Sequence, residues 1–144
     1  MTTSVHVVPA AELTTVQLHD LLRLRVDVFV VEQNCPYPEL DGRDLEPGTT
    51  HLWVDIDGEI AATLRLLTDP DCHRIGRVAT AVDHRGGGHA ATLVTHAIEL
   101  CHGPIELDAQ SYLEDWYQRF GFVQHGEEFV EDGIPHVPMR RDQL

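Results

Sequence analysis

A short run of glycines is the part of this sequence with the clearest chemical meaning. The turn consists of Arg85, Gly86, Gly87, Gly88, His89, Ala90 and Ala91. Glycines leave backbone N–H groups uncovered, and the start of the helix predicted to follow carries partial positive charge. Three consecutive glycines also lose much conformational entropy on folding, which a plain connection would avoid. We therefore predict that this turn binds an anion such as a phosphate group.

The same glycines also fit a second nucleotide-binding pattern. Gly86-x-Gly88-x-x-Ala91 matches the dinucleotide fingerprint, and Glu106, near the end of the next predicted strand, would then accept a ribose hydroxyl. A nicotinamide-binding fold, however, needs more parallel β-α-β units than this chain offers, and two predicted hairpins flank the turn. A P-loop is excluded because no Gly-Lys-Ser/Thr follows. A dinucleotide-binding protein stays as an alternative.

Composition narrows the class of protein. The chain has 144 residues, of which 42% are hydrophobic, so it is long enough for one core and short for two domains. We expect residues 1–144 to form a single domain. No apolar run approaches the roughly 20 residues of a membrane span, and residues 1–9 lack the pattern of a signal peptide. We expect a cytoplasmic protein with no membrane partner.

Net charge and the spacing of cysteine and histidine residues limit the partners and metals that we expect. A formal charge of −14 disfavours nucleic acid as a partner and favours cations such as amines. Three cysteines without C-x-x-C spacing are expected to be reduced thiols. Ten histidines include no H-E-x-x-H pattern, so we expect no metal site.

Hydrophobic periodicity and turn signals predict alternating strands and helices. Capping boxes are expected at Thr14 with Gln17 and at Ser111 with Glu114, and a tight hairpin turn at Asp57-Gly58. The predicted elements are a strand 4–8, a helix 15–30, a loop 33–50, strands 51–57, 59–67 and 75–82, a helix 90–100, a strand 105–109, a helix 111–120, and a terminal hairpin of 122–129 and 136–140.

Two motifs together resemble the GNAT superfamily of N-acetyltransferases. From Arg85 the turn follows Arg-x-x-Gly-x-Ala, which resembles the superfamily signature Q/R-x-x-G-x-G/A between its fourth strand and the next helix. The stretch 107–122 resembles the second conserved stretch, with Gln110, then Tyr117 seven residues later, then Gly-Phe. The separation of the two motifs also agrees with the superfamily.

A closer likeness is to the ElaA family of bacterial GNAT proteins, over about residues 21–140. It is carried by the segments 25–37, 40–44, 75–78 and 131–136. The resemblance implies an α/β (α+β) GNAT fold, with a mixed, mostly antiparallel sheet of six to seven strands. That sheet is expected to splay between strands 4 and 5 and to be flanked by helices.

The resemblance also implies where coenzyme A binds. Val78, Ala79 and Thr80 would offer backbone groups to the pantetheine arm, which lies beside the fourth strand like an added strand. Arg85 and the segment Gly86 to Ala91 would take the pyrophosphate. Gln110 stands where many relatives carry an asparagine that hydrogen-bonds the cofactor.

Acyl transfer to an amine needs a proton donor and a base. Tyr117 matches the tyrosine that lies near the sulfur as general acid in many relatives, and seven residues of helix leave it within about 20° of the direction of Gln110. For the base we favour Glu32 and Asp41, on the acceptor side in this architecture, with Asp44, His51 and Asp108 as further candidates. The fourth strand carries Arg77 to Thr80 and no glutamate, which favours a water-relayed base.

The sequence thus predicts an acyl-CoA-dependent N-acyltransferase that moves acetyl from acetyl-CoA to a primary amine. The acceptor is expected to be a small-molecule or peptide amine, and a homodimer is a candidate assembly because the terminal hairpin offers a free edge. A non-catalytic acyl-CoA-binding regulator is the alternative from another class.

Overall fold

The computed structural model describes residues 2–143 and consists of one continuous sheet with helices against it. Short 3-10 turns at Ala10–Glu12, Arg43–Leu45, Val82–His84 and Ser111–Leu113 connect the main elements. The main elements are β1 Thr3–Pro9, α1 Thr15–Arg25 with a π-helical continuation Val26–Glu32, β2 Thr50–Ile56, β3 Glu59–Thr68, β4 His73–Thr80, α2 His89–Leu100, β5 Ile105–Gln110, α3 Glu114–Gln118, β6 Val123–Gln124, β7 Phe129–Glu131 and β8 Ile134–Arg141.

Local sequence signals explain where several elements begin and turn. Thr14 and Gln17 form the expected reciprocal capping box at the start of α1. Asp57 and Gly58 both have positive φ, 52° and 84°, which is the conformation of a tight type I′ hairpin turn between β2 and β3. Both sequence predictions, the capping box and the hairpin turn, are confirmed.

Two helix predictions need correction. The α-helix expected over 15–30 ends at Arg25, and the chain continues as a π-helix to Glu32. The capping box expected at Ser111 and Glu114 does not form, because the Ser111 hydroxyl donates to Glu128 and residues 111–113 make a 3-10 turn. The following helix is therefore short and ends at Gln118.

The sheet is mixed and mostly antiparallel, as predicted. Its strand order is β1-β2-β3-β4-β5-β8-β6, and β7 also pairs with β8. Because β6 and β7 pair with successive parts of the same edge of β8, the sheet is seven positions wide and its last position is split into two short strands. The one parallel pair among the described strands is β4 with β5, so the fold is not that of a dinucleotide-binding protein.

The sheet opens between β4 and β5. These strands pair over two residues, His73 with Ile105 and Arg74 with Glu106, and then separate. Further along β4 a bulge sets Arg77 and Val78 opposite the single residue Leu64, and Arg77 takes a positive φ of 53°. A bulge increases local twist and bends its strand, so it widens the gap between β4 and β5. The predicted splay is confirmed.

Helices cover both faces of this sheet. α2 buries Leu93 and Val94 in one apolar cluster with Leu64 and Leu66 of β3. Arg65 lies between those two leucines in the strand, so its side chain projects from the other face. There it donates a hydrogen bond to Asp44, which also accepts one from Arg25 at the end of α1. The gap between β4 and β5 is therefore open between two packed layers.

Candidate active site

A cleft of about 900 Å³ occupies the gap between β4 and β5. Its walls are β4, the π-helix, the glycine turn, β5, α3 and the turn between β7 and β8. Most residues predicted from the sequence to form the site line this one cleft: Glu32, Asp41, Val78, Ala79, Thr80, Arg85, Gly86, Gly88, His89, Ala90, Ala91, Gln110 and Tyr117. Gly87 lies in the turn but is not among the lining residues.

One edge of β4 is free to bind an extended ligand. The N–H of Ala81 donates to Ala61 of β3 at 2.8 Å, so by alternation along the strand the backbone groups of Val78 and Thr80 point to the opposite edge, into the cleft. The carbonyl of Thr80 accepts a hydrogen bond there from Arg85 Nε at 3.2 Å. This edge has lost its partner strand because β5 has separated from it.

The glycine turn presents open backbone at the start of α2. Gly86 and Gly88 have φ of 85° and 77°, which residues with a Cβ rarely adopt, and a Cβ built at either would meet no described atom within 4 Å. Gly88 is the N-cap of α2 and makes no side-chain cap bond among the described residues. The first N–H groups of α2 therefore point into the cleft mouth without a capping side chain, as an anion site requires.

Arg85 carries the fixed positive charge beside that turn. Its guanidinium donates two hydrogen bonds to the carboxylate of Glu32, at 2.6 and 2.7 Å. These bonds lower the pKa of Glu32 and raise the pKa of Arg85. Glu32 comes from the last residue of the π-helix, so the ion pair joins that helix to the turn across the cleft.

Tyr117 lies in the cleft wall with its ring buried. Trp116 and Phe122 hold the ring edge-on at centroid distances of 4.8 and 6.2 Å. The hydroxyl makes no hydrogen bond within residues 2–143. Its oxygen is not fully buried, so a ligand in the cleft can reach it. Burial raises the pKa of this hydroxyl well above its usual value, with a smaller contribution from Tyr112, so it keeps its proton at neutral pH.

Gln110 ends β5 and faces the end of the π-helix. Its side-chain amide exchanges two hydrogen bonds with the amide of Gln33, at 3.3 and 3.4 Å. Both residues line the cleft. The pair leaves amide donor and acceptor capacity unused, because each amide can make about four hydrogen bonds.

Asp41 belongs to a closed ring of six alternating charges that the sequence did not reveal. Consecutive members lie within salt-bridge distance, at 2.5 to 3.4 Å, around the whole ring. In order, the members are Arg25, Glu39, Arg77, Asp41, Arg65 and Asp44.

This charge ring fixes the long loop to the β4 bulge. Its carboxylates come from the 33–50 loop, and its arginines come from α1, β3 and β4. Arg77, the bulged residue, also lies over the ring of Tyr37, at 5.7 Å from its centroid. The hydrogen bond from Arg65 is the largest of several effects that lower the pKa of Asp41, so this carboxylate stays ionised.

The other carboxylates and histidine named as candidate bases are placed differently. Asp44 is buried in the ring; burial raises its pKa, but Arg25 and Arg65 outweigh that effect and lower it. His51 is fully buried beneath the loop, and its Nε2 contacts the carbonyl of Asp44 at 3.0 Å. Neither residue lines the cleft. Asp108 does line it and accepts a hydrogen bond from Arg74 at 3.3 Å.

Sequence reasoning missed the residues on the acceptor side of the cleft. The 33–50 loop contributes Cys35 and Tyr37, and the β7–β8 hairpin contributes Asp132, Ile134 and His136. The Cys35 thiol donates to the carbonyl of Asp132 at 3.3 Å, so these two segments touch across 97 positions of sequence. All five residues lie in segments 25–37 and 131–136, which carry the resemblance to the ElaA family. That resemblance was the one signal for them in the sequence, because no local spacing connects the two segments.

A membrane-spanning helix and a metal-binding cluster of side chains are both absent from residues 2–143. No helix there combines the length and apolarity needed to cross a membrane. That same range holds no group of three or more His, Cys, Asp and Glu side chains arranged to hold a metal ion.

Comparison with known proteins gives the class of this molecule. The sequence model of the acetyltransferase (GNAT) domain family matches residues 18–143. A UPF0039 protein of Mycobacterium tuberculosis is 50% identical, over 98% of this chain and 94% of that protein. The ElaA protein of Escherichia coli is 41% identical, over 93% of each chain.

Solved structures agree with the sequence comparisons. The crystal structure of an acyl-CoA N-acyltransferase from Pseudomonas aeruginosa superposes with a TM-score of 0.92 at 42% identity, covering 97% of this chain and 99% of that one. The fold is that of a GNAT acyltransferase. The chain belongs to the acetyltransferase (GNAT) family, in the group that includes ElaA and the UPF0039 proteins.

Proposed function

We propose that this protein transfers an acetyl group from acetyl-CoA to a primary amine. The observation that carries the proposal is the free edge of β4 leading to an uncapped, glycine-lined helix start within one cleft. An acyl-CoA has a matching order of groups, with an amide-bearing arm followed by a pyrophosphate. Acetyl-CoA supplies the activated thioester carbonyl when bound.

The residues of the cleft fit the two parts of coenzyme A. Backbone groups of Val78 and Thr80 would pair with the amides of the pantetheine arm, as in strand addition, whereas by the same alternation those of Ala79 face β3. Arg85 and the N–H groups from Gly86 to Ala91 would bind the pyrophosphate. The Gln110 amide would hydrogen-bond the arm from the β5 side.

Tyr117 would act as the proton donor for the leaving thiolate. Its buried ring holds the hydroxyl at the cleft surface, and burial raises its pKa so that the proton is present at neutral pH. Backbone N–H groups beside the bulge at Val78 would stabilise negative charge on the thioester oxygen.

The acceptor would be a cationic small molecule or a peptide amine. The net charge of −14 attracts cations, and exposed Glu131 and Asp132 stand at the acceptor side of the cleft. Glu32 and Asp41 are not proposed as the base here. Hydrogen bonds from arginines lower the pKa values of both carboxylates, which weakens them as proton acceptors.

Calorimetric titration with acetyl-CoA, CoA and NADH, followed by an assay for thiol release with spermidine, tryptamine, lysine and a lysine-containing peptide, tests the proposal. We expect micromolar binding of the two CoA species, no comparable binding of NADH, and amine-dependent thiol release. Binding without turnover on any amine would favour the regulator instead, and preference for NADH would contradict CoA recognition altogether.

A further inference from the structure

His136 occupies the acceptor side of the cleft without a role in the preceding scheme. It is the third residue of β8 and lies opposite Gln110 of β5 on one side and Phe129 of β7 on the other. Its ring stacks on Phe129 with a centroid distance of 5.5 Å and an interplanar angle of 17°. Three neighbouring strands therefore fix this imidazole in the wall of the cleft.

The hydrogen bonding of His136 determines which ring nitrogen is available. Nδ1 lies 2.7 Å from the carbonyl oxygen of Ile134. A carbonyl oxygen can only accept, so Nδ1 must carry the proton and the neutral ring has its lone pair on Nε2. Nε2 has no hydrogen-bond partner in residues 2–143. The atom is not fully buried, and the residue lines the cleft, so Nε2 is open to the cleft.

Several other titratable groups of the cleft are already paired, while His89 lies at the start of α2 and Glu131 and Asp132 are exposed at the end of the β7–β8 hairpin. Glu32 and Asp41 are paired with arginines, and Asp108 accepts from Arg74. The Cys35 thiol donates a hydrogen bond to the backbone carbonyl of Asp132 at 3.3 Å. His84 belongs to the glycine-turn end, with its Nε2 3.7 Å from Glu59.

We propose that Nε2 of His136 is the general base that deprotonates the acceptor amine. This inference rests on the proposed acetyl transfer. Nε2 takes one proton from the ammonium group, and the freed lone pair on nitrogen forms the new C–N bond to the thioester carbonyl carbon. The C–S bond breaks with its electron pair on sulfur, which takes a proton from Tyr117. The second proton that the nitrogen loses restores Tyr117, and the proton on Nε2 passes to solvent, so one amide, one thiol and one released proton result.

A substitution series with a matched control tests this role. His136→Ala and His136→Gln should lower kcat/KM for the most active amine of the panel by about 10²- to 10⁴-fold, the usual contribution of a general base. Their affinity for CoA in calorimetry should stay within about twofold of the parent value, since His136 is not assigned to the cofactor. His96→Ala is the control: its Nδ1 also contacts a backbone carbonyl, at 2.9 Å, but it lies on the exposed part of α2 outside the cleft.

Added imidazole separates catalysis from a structural role. It should raise the rate of His136→Ala by about tenfold or more and leave His96→Ala unchanged, because the added base can occupy the vacated space. Undiminished rates in both His136 variants, or a loss that imidazole does not restore while folding is intact by circular dichroism, would overturn the proposal.

A second measurement uses the unsubstituted protein without any ligand. Long-range ¹H–¹⁵N NMR recorded over an alkaline pH range should place the ring proton of neutral His136 on Nδ1. The Nε2–H tautomer would overturn the assignment. An active parent enzyme with unaffected variants refutes His136 alone, whereas a parent that binds CoA but acetylates no amine refutes the proposed function and this inference with it.

Discussion

The carboxylate of Glu32 and the guanidinium of Arg85 are joined by two hydrogen bonds, although the residues are 53 positions apart in sequence. The pair lies beside the helix start proposed to bind pyrophosphate. The Glu32 carboxylate thus takes the hydrogen bonds of the Arg85 guanidinium that a bound phosphate would otherwise accept. Since both side chains are about two-fifths exposed, the pair is easily exchanged for another anion.

Glu32→Gln should therefore tighten CoA binding. Removing an exposed competing ion pair is worth up to about 1 kcal/mol, which corresponds to a decrease in Kd of about two- to fivefold in calorimetry. Asp27→Asn is the matched control, because it removes the same charge from an exposed position on the same π-helix. Weaker binding by Glu32→Gln would mean instead that Glu32 holds Arg85 in the geometry that binds the phosphate.

Glu39→Gln should destabilise the fold strongly. Glu39 is almost fully buried and bridges Arg25 at 2.7 Å and Arg77 at 2.9 Å, so its loss leaves buried positive charge uncompensated. Breaking such a pair lowers the free energy of unfolding by about 3–5 kcal/mol, measurable by urea denaturation. Glu46→Gln, which removes the exposed partner of Arg43, should change stability by about 1 kcal/mol or less. Equal effects of the two substitutions would contradict a structural role for the charge ring.

Tyr117→Phe should separate catalysis from binding. Loss of the hydroxyl removes the proposed proton donor, so kcat should fall by about 10²- to 10⁴-fold while the Kd for CoA changes little. Tyr112→Phe provides a comparison, since Tyr112 is 76% exposed and its hydroxyl has no assigned role. A full rate in Tyr117→Phe would assign thiolate protonation to water.

Burial of His51 predicts a pH dependence of stability. Desolvation lowers the pKa of His51, so the unfolded state takes up a proton at a higher pH than the folded state does. The resulting stability is present above the unfolded pKa of about 6.5 and is lost as pH falls toward the folded pKa, by up to about 1.4 kcal/mol per pH unit. Denaturation of the parent and of His51→Gln at pH 8.0, 6.5 and 5.5 should show a shallower loss in the variant. Parallel curves would mean that other groups cause the acid sensitivity.

Local signals in the sequence were sufficient for several elements. The capping box at Thr14 and the turn at Asp57-Gly58 formed as predicted, because each depends on contacts within about four residues. The Ser111 capping box failed for the opposite reason, since its hydroxyl donates instead to Glu128, which lies 17 residues away in the segment before β7. The family resemblance also predicted the splay between β4 and β5, which the structure confirms.

The sequence by itself therefore determined the fold class, the family and the glycine turn, since these depend on periodicity, glycine conformation and recognisable motifs. The tertiary structure decided which distant side chains meet. The charge ring joins Arg25 to Asp44 and Arg65, and β8 brings His136 beside Gln110 by inserting between β5 and the β6 and β7 strands. Such pairings depend on strand order and on the burial of charge, and neither is encoded in the spacing of any one segment.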